Sequence, residues 1–146
     1  RTTSTEVNEI TSPLVIWRKE YRVDSGGAGQ RRGGLGQTIE IAHREGAPFV
    51  ISKMFDRIAH PPRGRFGGCE GRTGSVYTRE GERFAAKGRD VVPADHMLVL
   101  ETPGGGGMGD IAKRDPEQVM ADVRAGLVST AAALSEYGVE VTDAPA

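Results

Sequence analysis

Apolar and β-branched side chains recur in short runs along the first hundred residues, and these runs predict strands rather than helices. Residues 14–22 and 48–54 are rich in β-branched and aromatic side chains, and residues 37–43 alternate apolar and polar positions. A fourth apolar run, residues 96–102, lies between two prolines. The pattern predicts that residues 1–102 form short strands joined by glycine-rich turns and extended connections.

The pattern changes after residue 114, where helix-start signals appear. Asp115 is a favourable N-cap, and Pro116 suits the first position of a helix. A second short helix is predicted over residues 130–137, with Ser129 as its cap and Gly138 as its stop. We therefore expect two short helices near the end of the chain.

Together these elements predict an α+β fold that is mostly β. We expect a β-rich, glycine-loop region at residues 1–114 and a short helical segment of the same domain at residues 115–146. A last short strand is predicted at residues 139–141.

Composition indicates a folded piece that depends on something besides its own apolar core. Glycine supplies 21 of the 146 residues, about twice its usual share of roughly 7%. Sixteen of these glycines fall in three clusters, residues 26–36, 64–74 and 104–109. Leu, Ile, Val and Phe supply only 30 residues, yet the net charge of −1 does not indicate disorder. The absence of an initiator Met before Arg1 fits a processed or fragmentary polypeptide.

Several classes are excluded by what the sequence lacks. The single cysteine, Cys69, rules out a disulfide framework and favours a reducing, cytoplasmic location. No apolar run approaches the ~20 residues that span a bilayer. Charge is divided unevenly, since residues 1–90 carry 16 basic and 11 acidic side chains while residues 91–146 carry 3 and 9. The two parts could attract each other or face different partners.

One segment matches the dinucleotide-binding pattern GxGxxG literally, with glycines at Gly104, Gly106 and Gly109. Such glycines let backbone N–H groups approach a pyrophosphate at a helix N-terminus. Here Pro103 interrupts the strand, and the next helix is predicted only at Pro116, so the tight strand–turn–helix unit is missing. Close packing of the loop against another backbone is the favoured interpretation.

Three other signals have ordinary explanations. Residues 63–68 resemble one copy of an RGG segment, but a single copy in a near-neutral chain does not indicate nucleic-acid binding. Cys69 could be an exposed nucleophile, although no histidine can be placed beside it from the sequence. The histidines His43, His60 and His96 lack metal-ligand spacing, so no metal site is predicted within this chain.

The loop that begins at Asp24 and Ser25 is more informative. Its glycines permit close backbone approach, and Arg31 and Arg32 follow directly. A rigid loop of donors beside two guanidinium groups could bind a carboxylate or a phosphate. The same residues could instead clamp two chain segments together, which is the interpretation we favour.

These loops, in this order, resemble the C-terminal part of the hydantoinase B/oxoprolinase family. The similar segments are SPLVIWRKEYRVDSGGAGQRRGGLGQTIEI (12–41), PPRGRFGGCEGRTG (61–74) and LVLETPGGGGMGDIAKRDPEQVMADVRAGLVS (98–129). The resemblance covers nearly the whole chain, and it implies a β-rich fold with extended, polyproline-like glycine segments. The large N-terminal part of the family is missing, and Cys69 departs from the expected pattern.

The resemblance implies ATP-dependent hydrolysis of a cyclic amide such as 5-oxoproline or a hydantoin. In such a hydrolase a B-type subunit forms a hetero-oligomer with an A-type subunit of actin-like ATPase fold. ATP and Mg are expected on that partner, with none bound by this chain, and any metal is expected in the missing N-terminal part. The chain alone is expected to be inactive, and a small structural subunit of a related ATP-dependent ketone carboxylase is the alternative.

The resemblance assigns no catalytic residue. It implies loops that contact the substrate or form an interface, within a cytoplasmic complex that binds neither nucleic acid nor membrane. The candidate loop residues are Asp24, Ser25, Gly26, Gly27, Gly29, Arg31, Arg32, Gly33, Gly34, Gly104, Gly105, Gly106, Gly107 and Asp110.

Overall fold

A computed structural model of the chain describes residues 4–141. Three helices, one single-turn 3₁₀ helix (Ile111–Lys113) and six strands are present in this range. The helices are α1 (Thr5–Thr11), α2 (Pro116–Arg124) and α3 (Thr130–Tyr137), and the strands are β1 (Leu14–Tyr21), β2 (Gln37–His43), β3 (Phe49–Met54), β4 (Ser75–Thr78), β5 (Lys87–Val92) and β6 (Leu98–Glu101). The predicted mostly-β α+β fold is confirmed.

The chain divides into two units, each built from three separate stretches of sequence. What we call the sheet unit consists of Arg1–Glu20, Thr38–Asp56 and Ser75–Glu101. What we call the loop unit consists of Tyr21–Gln37, Arg57–Gly74 and Thr102–Ala146.

Four strands of the sheet unit form one sheet in the order β1-β2-β6-β4. The central strand β6 pairs antiparallel with both β2 and β4, so that Leu100 lies opposite Ile39 and Val76. Leu98 and Val99 of β6 are buried, as expected for an apolar run in the middle of a sheet. The strands predicted from residues 14–22, 37–43 and 96–102 are thereby confirmed.

The other two strands of this unit, β3 and β5, form a separate antiparallel pair. Val92 and Lys53 are buried in this pair, although lysine is almost never buried without a partner. The ammonium group of Lys53 pairs with Asp90 and lies 4.8 Å from the centre of the Phe84 ring. Loss of hydration on burial lowers the pKa of Lys53.

The two predicted helices of the loop unit are confirmed together with their caps. The Asp115 carboxylate accepts a hydrogen bond from the Glu117 N–H, and the Ser129 hydroxyl accepts one from the Ala132 N–H. Gly138 ends α3 with a left-handed φ of 66°. The helices pack around a small apolar core of Val119, Val123, Val128, Ala132 and Ala133.

The predicted strand at residues 139–141 is wrong. Val139 and Val141 pack against the helical core, and the Val139 N–H donates to the Ala133 carbonyl oxygen. This hydrogen bond ties the segment to the C-terminal end of α3, so the segment caps the helix instead of pairing in a sheet. Residues 142–146, which end the predicted helical segment, lie outside the described residues.

None of the helices within residues 4–141 combines the length and the hydrophobicity that a membrane span requires.

Candidate functional site

Three glycine-rich stretches meet in the loop unit and form what we call the glycine bundle. It consists of residues 24–36, 61–74 and 102–110. The stretches are joined through their backbones: the Gly27 N–H donates to the Gly105 carbonyl over 2.9 Å, and the Cys69 N–H donates to the Ala28 carbonyl over 2.7 Å. Because these bonds link segments that are far apart in sequence, the three predicted glycine clusters are parts of one structure.

Close approach of backbones explains most of the glycines in this bundle. A Cβ on Gly104 would overlap the carbonyl oxygen of Ser25, and one on Gly107 would overlap that of Ala28. A Cβ would meet a backbone atom closer than 3.0 Å at each of Gly26, Gly27, Gly29, Gly33, Gly36, Gly64, Gly68, Gly71 and Gly106 as well. Glycine is required here because two backbones cannot pack so closely with a side chain between them.

The GxGxxG segment uses its amide groups inside the bundle. The N–H groups of Gly104, Gly105 and Gly107 donate to the carbonyl oxygens of Arg72, Gly34 and Cys69 over 3.0, 2.7 and 2.8 Å. A phosphate loop needs these donors free to point at the ligand. The packing interpretation of Gly104, Gly106 and Gly109 is therefore supported, and the residues present do not fit a nucleotide phosphate.

Asp24 and Ser25 hold the start of the bundle in place. The Ser25 hydroxyl is fully buried, donates to the Arg22 carbonyl over 2.5 Å and accepts from the Gly36 N–H over 2.8 Å. The Asp24 carboxylate accepts a hydrogen bond from the Ser129 N–H over 2.8 Å, next to α3. Both side chains are engaged by the protein itself.

Arg32 is held by an acidic residue that the sequence did not single out. Its guanidinium makes two hydrogen bonds, of 3.0 and 3.3 Å, to the two carboxylate oxygens of Asp122 on α2. Arg114 binds the same carboxylate over 2.5 Å and lies 5.4 Å from the centre of the Tyr137 ring. The guanidinium of Arg32 thus joins α2 to the bundle. This agrees with the interpretation that the loop clamps two chain segments together.

The remaining candidates divide between packing and exposure. Gly26, Gly27, Gly29 and Gly33 are buried in the bundle, whereas Gly34 and Arg31 are exposed. Asp110 is also exposed, but its carboxylate accepts the Ala112 N–H over 3.1 Å and caps the 3₁₀ helix. Arg31 is thus the candidate with a charged side chain directed to solvent.

Two titratable side chains of α3 have shifted pKa values. Burial, followed by the negative charge of Asp24, raises the pKa of Glu136, while the positive charge of Arg72 opposes the shift. Burial also raises the pKa of Tyr137, and the nearby charge of Arg114 opposes that shift. Both shifts arise from packing beside the bundle and assign no proton-transfer role.

No catalytic constellation forms among residues 4–141. Cys69 is exposed, and its backbone N–H and carbonyl are both bound within the bundle. In the sheet unit a cavity of about 350 Å³ is lined partly by His43 and His96. His43 uses Nδ1 to accept two backbone N–H groups, and His96 lies 3.6 Å from the Glu80 carboxylate. Across the described residues, no group of three His, Cys, Asp or Glu is placed to hold a metal ion.

The family can be assigned from a comparison with known protein families. Residues 1–111 match the model of the hydantoinase B/oxoprolinase family. The chain belongs to the hydantoinase B/oxoprolinase family. The matched range contains the whole sheet unit and all three glycine-rich stretches. The expectation from the sequence motifs is confirmed.

Curated relatives from this family cover most of the chain. The chain is 33% identical over 144 residues to caprolactamase subunit beta of Pseudomonas jessenii. The aligned region covers 93% of this chain but only 25% of that subunit. It is 38% identical over 113 residues to 5-oxoprolinase 1 of Arabidopsis thaliana, with 75% of this chain and 9% of the relative covered. The chain therefore spans a quarter or less of these relatives.

Two solved structures have the same fold as this chain. The ATP-dependent caprolactamase of Pseudomonas jessenii matches 99% of this chain with a TM-score of 0.79 at 27% identity, covering 26% of that protein's chain. A nucleotide-free acetone carboxylase structure matches 94% of the chain with a TM-score of 0.69 at 18% identity, which shows a shared fold.

Proposed function

We propose that this chain is the C-terminal part of a B-type subunit in an ATP-dependent cyclic-amide hydrolase. The observation that carries the proposal is the family match over residues 1–111 together with 33% identity to a caprolactamase subunit beta, of which the chain covers only 25%. The order of the glycine segments, which resembles the C-terminal part of the family, supports this position. A 5-oxoproline or hydantoin-class amide is the proposed substrate.

The glycine bundle gives the chain a structural role in this complex. Many of its amides donate to backbone carbonyl oxygens, and its Arg32 guanidinium is bound to Asp122. Backbones joined this closely form a rigid scaffold, because the glycine contacts have no side chain between them that could change its rotamer. We propose that this scaffold supports reactive groups held by the remainder of the subunit and by an A-type subunit of actin-like ATPase fold.

ATP and Mg are assigned to that partner subunit. The residues present in this chain do not fit a nucleotide phosphate, because five of the six amides of the GxGxxG segment, all except that of Gly106, donate to backbone carbonyl oxygens of the bundle. No step of phosphoryl transfer is therefore assigned to this chain, and the chain alone is proposed to be inactive. Any resident metal is assigned to the part of the subunit that precedes these residues in the family.

Activity measurements test the proposal directly. The longer subunit that contains this chain is co-expressed with its A-type partner and assayed for hydrolysis of 5-oxoproline, a hydantoin and caprolactam with ATP. We expect amide hydrolysis coupled to ATP consumption by the complex, and none by residues 1–146 alone. Turnover by the isolated chain, or absence of coupled hydrolysis in the complex with all three substrates, would contradict the proposal.

A ketone carboxylase subunit is the second candidate. The observation that favours this candidate is the fold shared with acetone carboxylase, at a TM-score of 0.69. The same complex is therefore assayed with acetone, bicarbonate and ATP. Carboxylation of acetone without hydrolysis of any cyclic amide would establish this alternative instead of the hydrolase.

A further inference from the structure

The turn between β2 and β3 is closed by the side chain of one histidine. The Nδ1 atom of His43 accepts hydrogen bonds from the Glu45 and Ala47 N–H groups over 3.1 and 3.2 Å. The His43 carbonyl oxygen accepts a third hydrogen bond, from the Gly46 N–H over 3.2 Å. Three amides of the turn thus depend on a single residue, and two of them depend on a single ring nitrogen.

The same turn contacts the segment that leads into β6. The Asp95 N–H donates to the Gly46 carbonyl oxygen over 2.9 Å. A Cβ on Gly46 would overlap a carboxylate oxygen of Asp95, so the two segments touch directly. Both residues line the cavity of about 350 Å³ in the sheet unit. Opening of the His43 turn would therefore release the contact with Asp95 and change one wall of this cavity.

Two converging N–H donors fix the protonation state of the His43 ring. A histidine nitrogen accepts a hydrogen bond only when it carries no proton, and the imidazolium carries a proton on both nitrogens. His43 is therefore neutral in the closed turn, with its proton on Nε2. Uptake of a second proton would place an N–H on Nδ1 against the Glu45 and Ala47 N–H groups and remove their shared acceptor.

We propose that residues 43–47 form a pH-sensitive latch: the neutral imidazole of His43 keeps the turn closed, and protonation of the ring opens the turn and releases Asp95. Histidine is the side chain that ordinarily changes its charge between pH 5 and 8. The closed turn excludes a proton from Nδ1 whereas the open turn admits it, so opening increases as the pH falls. The latch consists only of residues 43–47 and their contact with Asp95, so it does not depend on the proposed function.

Cationic side chains near the latch have partners of their own. The charged and titratable side chains of the turn and of the cavity, besides His43, are Arg44, Glu45, Arg79, Glu80, Asp95 and His96. The Arg44 guanidinium donates to the Glu9 carbonyl oxygen over 2.8 Å. The Arg79 guanidinium pairs with the Glu40 carboxylate over 2.7 Å. The carboxylates of Glu45 and Asp95 add negative charge beside the turn, which favours uptake of a proton.

A second histidine at the cavity responds to acid with the opposite sign. The Nδ1 atom of His96 lies 3.6 Å from the Glu80 carboxylate, and within residues 4–141 it makes no hydrogen bond. Protonation would therefore give His96 an ionic partner. The Glu80 carboxylate also accepts the Met97 N–H over 3.1 Å. Acid thus strengthens the contact of His96 while it removes the acceptor at His43, and variants of each histidine separate the two effects.

Amide hydrogen exchange tests the latch in the longer subunit that contains this chain. Mass spectrometry of the peptide that covers residues 44–47 gives its protection factors, which are corrected for the direct effect of pH on exchange. In the parent we expect protection to fall about tenfold between pH 7.5 and pH 5.5, because only the open turn binds a proton at the ordinary histidine pKa of about 6.5. Protection that stays constant over this range would overturn the proposal.

His43→Asn separates the acceptor from the titration. Asparagine presents a carbonyl oxygen that accepts N–H groups of a following turn, but it takes up no proton. We expect this variant to keep its protection constant within about twofold from pH 7.5 to pH 5.5, because its acceptor does not titrate. His43→Ala has no acceptor and should already lose protection at pH 7.5. A fall in His43→Asn as large as that of the parent would contradict the latch.

The matched control is His96→Asn, which removes the other histidine of the cavity and leaves the His43 ring in place. The tenfold fall in protection of residues 44–47 should remain in this variant. If His96→Asn abolished the pH dependence while His43→Asn retained it, the response would belong to the contact with Glu80, and the latch would be overturned. The sample contains no ATP, substrate or partner subunit, so neither result bears on the proposed function.

Discussion

The loop unit contains two regions that are stabilised in opposite ways. In the pair of helices α2 and α3, side chains such as Val119 and Ala133 are buried and fill the space between the backbones. In the glycine bundle, backbone meets backbone, and the positions at the contacts have no side chain at all. The comparison shows that a chain with few large apolar residues can still form an ordered interior, provided that its glycines are in register.

The largest expected effect is the addition of one methyl group inside the bundle. Gly104→Ala places a Cβ on the carbonyl oxygen of Ser25, which is backbone and cannot move aside. We expect a loss of more than about 4 kcal/mol in the free energy of unfolding, a value that only severe disruptions reach. Urea denaturation measures it.

Gly34→Ala is the matched control for this change. A Cβ on Gly34 has no atom within 4 Å, and its φ is not left-handed. The free energy of unfolding should change by less than about 0.5 kcal/mol. Equal losses for the two alanine variants would show that close backbone packing is not what requires glycine in this bundle.

A smaller loss is expected where the bundle is clamped to α2. Asp122→Ala leaves the guanidinium groups of Arg32 and Arg114 without their shared carboxylate, at sites where the three side chains are 8–16% exposed. Removing one partner from a buried ion pair is costly because the other charge remains, and we expect a loss of about 3 kcal/mol. Chemical denaturation of Asp122→Ala checks this value.

The control for the clamp is Asp56→Ala. Asp56 pairs with Lys87 in the sheet unit, but these side chains are 80% and 65% exposed. Exposed pairs contribute less than about 1 kcal/mol. If Asp122→Ala lowered the free energy of unfolding no more than Asp56→Ala does, the ion pairs of Asp122 would contribute no more to stability than an exposed pair.

The helical core should lose stability when a side chain is made smaller, whereas the glycine bundle loses stability when a side chain is added. Val119 is 1% exposed, and Val119→Ala removes two methyl groups from the contact between α2 and α3. We expect a loss of about 2 kcal/mol, from burial energy and from the cavity left behind. A thermal unfolding series that includes the exposed Ala131→Gly as a helix-propensity reference measures it, and a loss below that reference would contradict the packing seen here.

The smallest effect concerns the pH dependence of α3. Burial raises the pKa of Glu136, so the folded state binds this proton more tightly than the unfolded chain. Its contribution is fully present below the ordinary glutamate pKa and is lost as the pH rises through the folded value. Glu136→Gln should therefore raise the melting temperature at pH 7, and the gain should vanish near pH 4. A variant that is less stable than the parent at pH 7 would contradict the sign.

Local signals in the sequence were enough for much of the fold. The strands β1, β2, β3 and β6 followed from apolar runs, and α2 and α3 followed from Asp115, Pro116 and Ser129, because these signals act within a few residues. The sequence did not predict α1, which buries no residue and whose N-cap Ser4 makes no side-chain hydrogen bond. Nor did it predict β4 and β5, which are short or largely polar.

The site was less predictable because its contacts join distant parts of the chain. The glycine clusters were visible, but which carbonyl each one faces depends on the tertiary fold. Arg32 was singled out, while its partner Asp122 lies 90 positions away and had no signal beyond the excess of acidic residues after position 90. Phe66 was seen only within an RGG-like segment, because its left-handed φ opposes the usual preference of phenylalanine.

Amide hydrogen exchange tests the central claim, that the glycine bundle is one backbone-bonded structure, most directly. In the bundle the Gly105 and Gly107 N–H groups are hydrogen-bonded, whereas across residues 4–141 no acceptor is found for the Gly106 N–H between them. We expect Gly105 and Gly107 to exchange as slowly as Val123 in α2, and Gly106 to exchange much faster. Uniformly fast exchange at Gly105, Gly106 and Gly107 would contradict it.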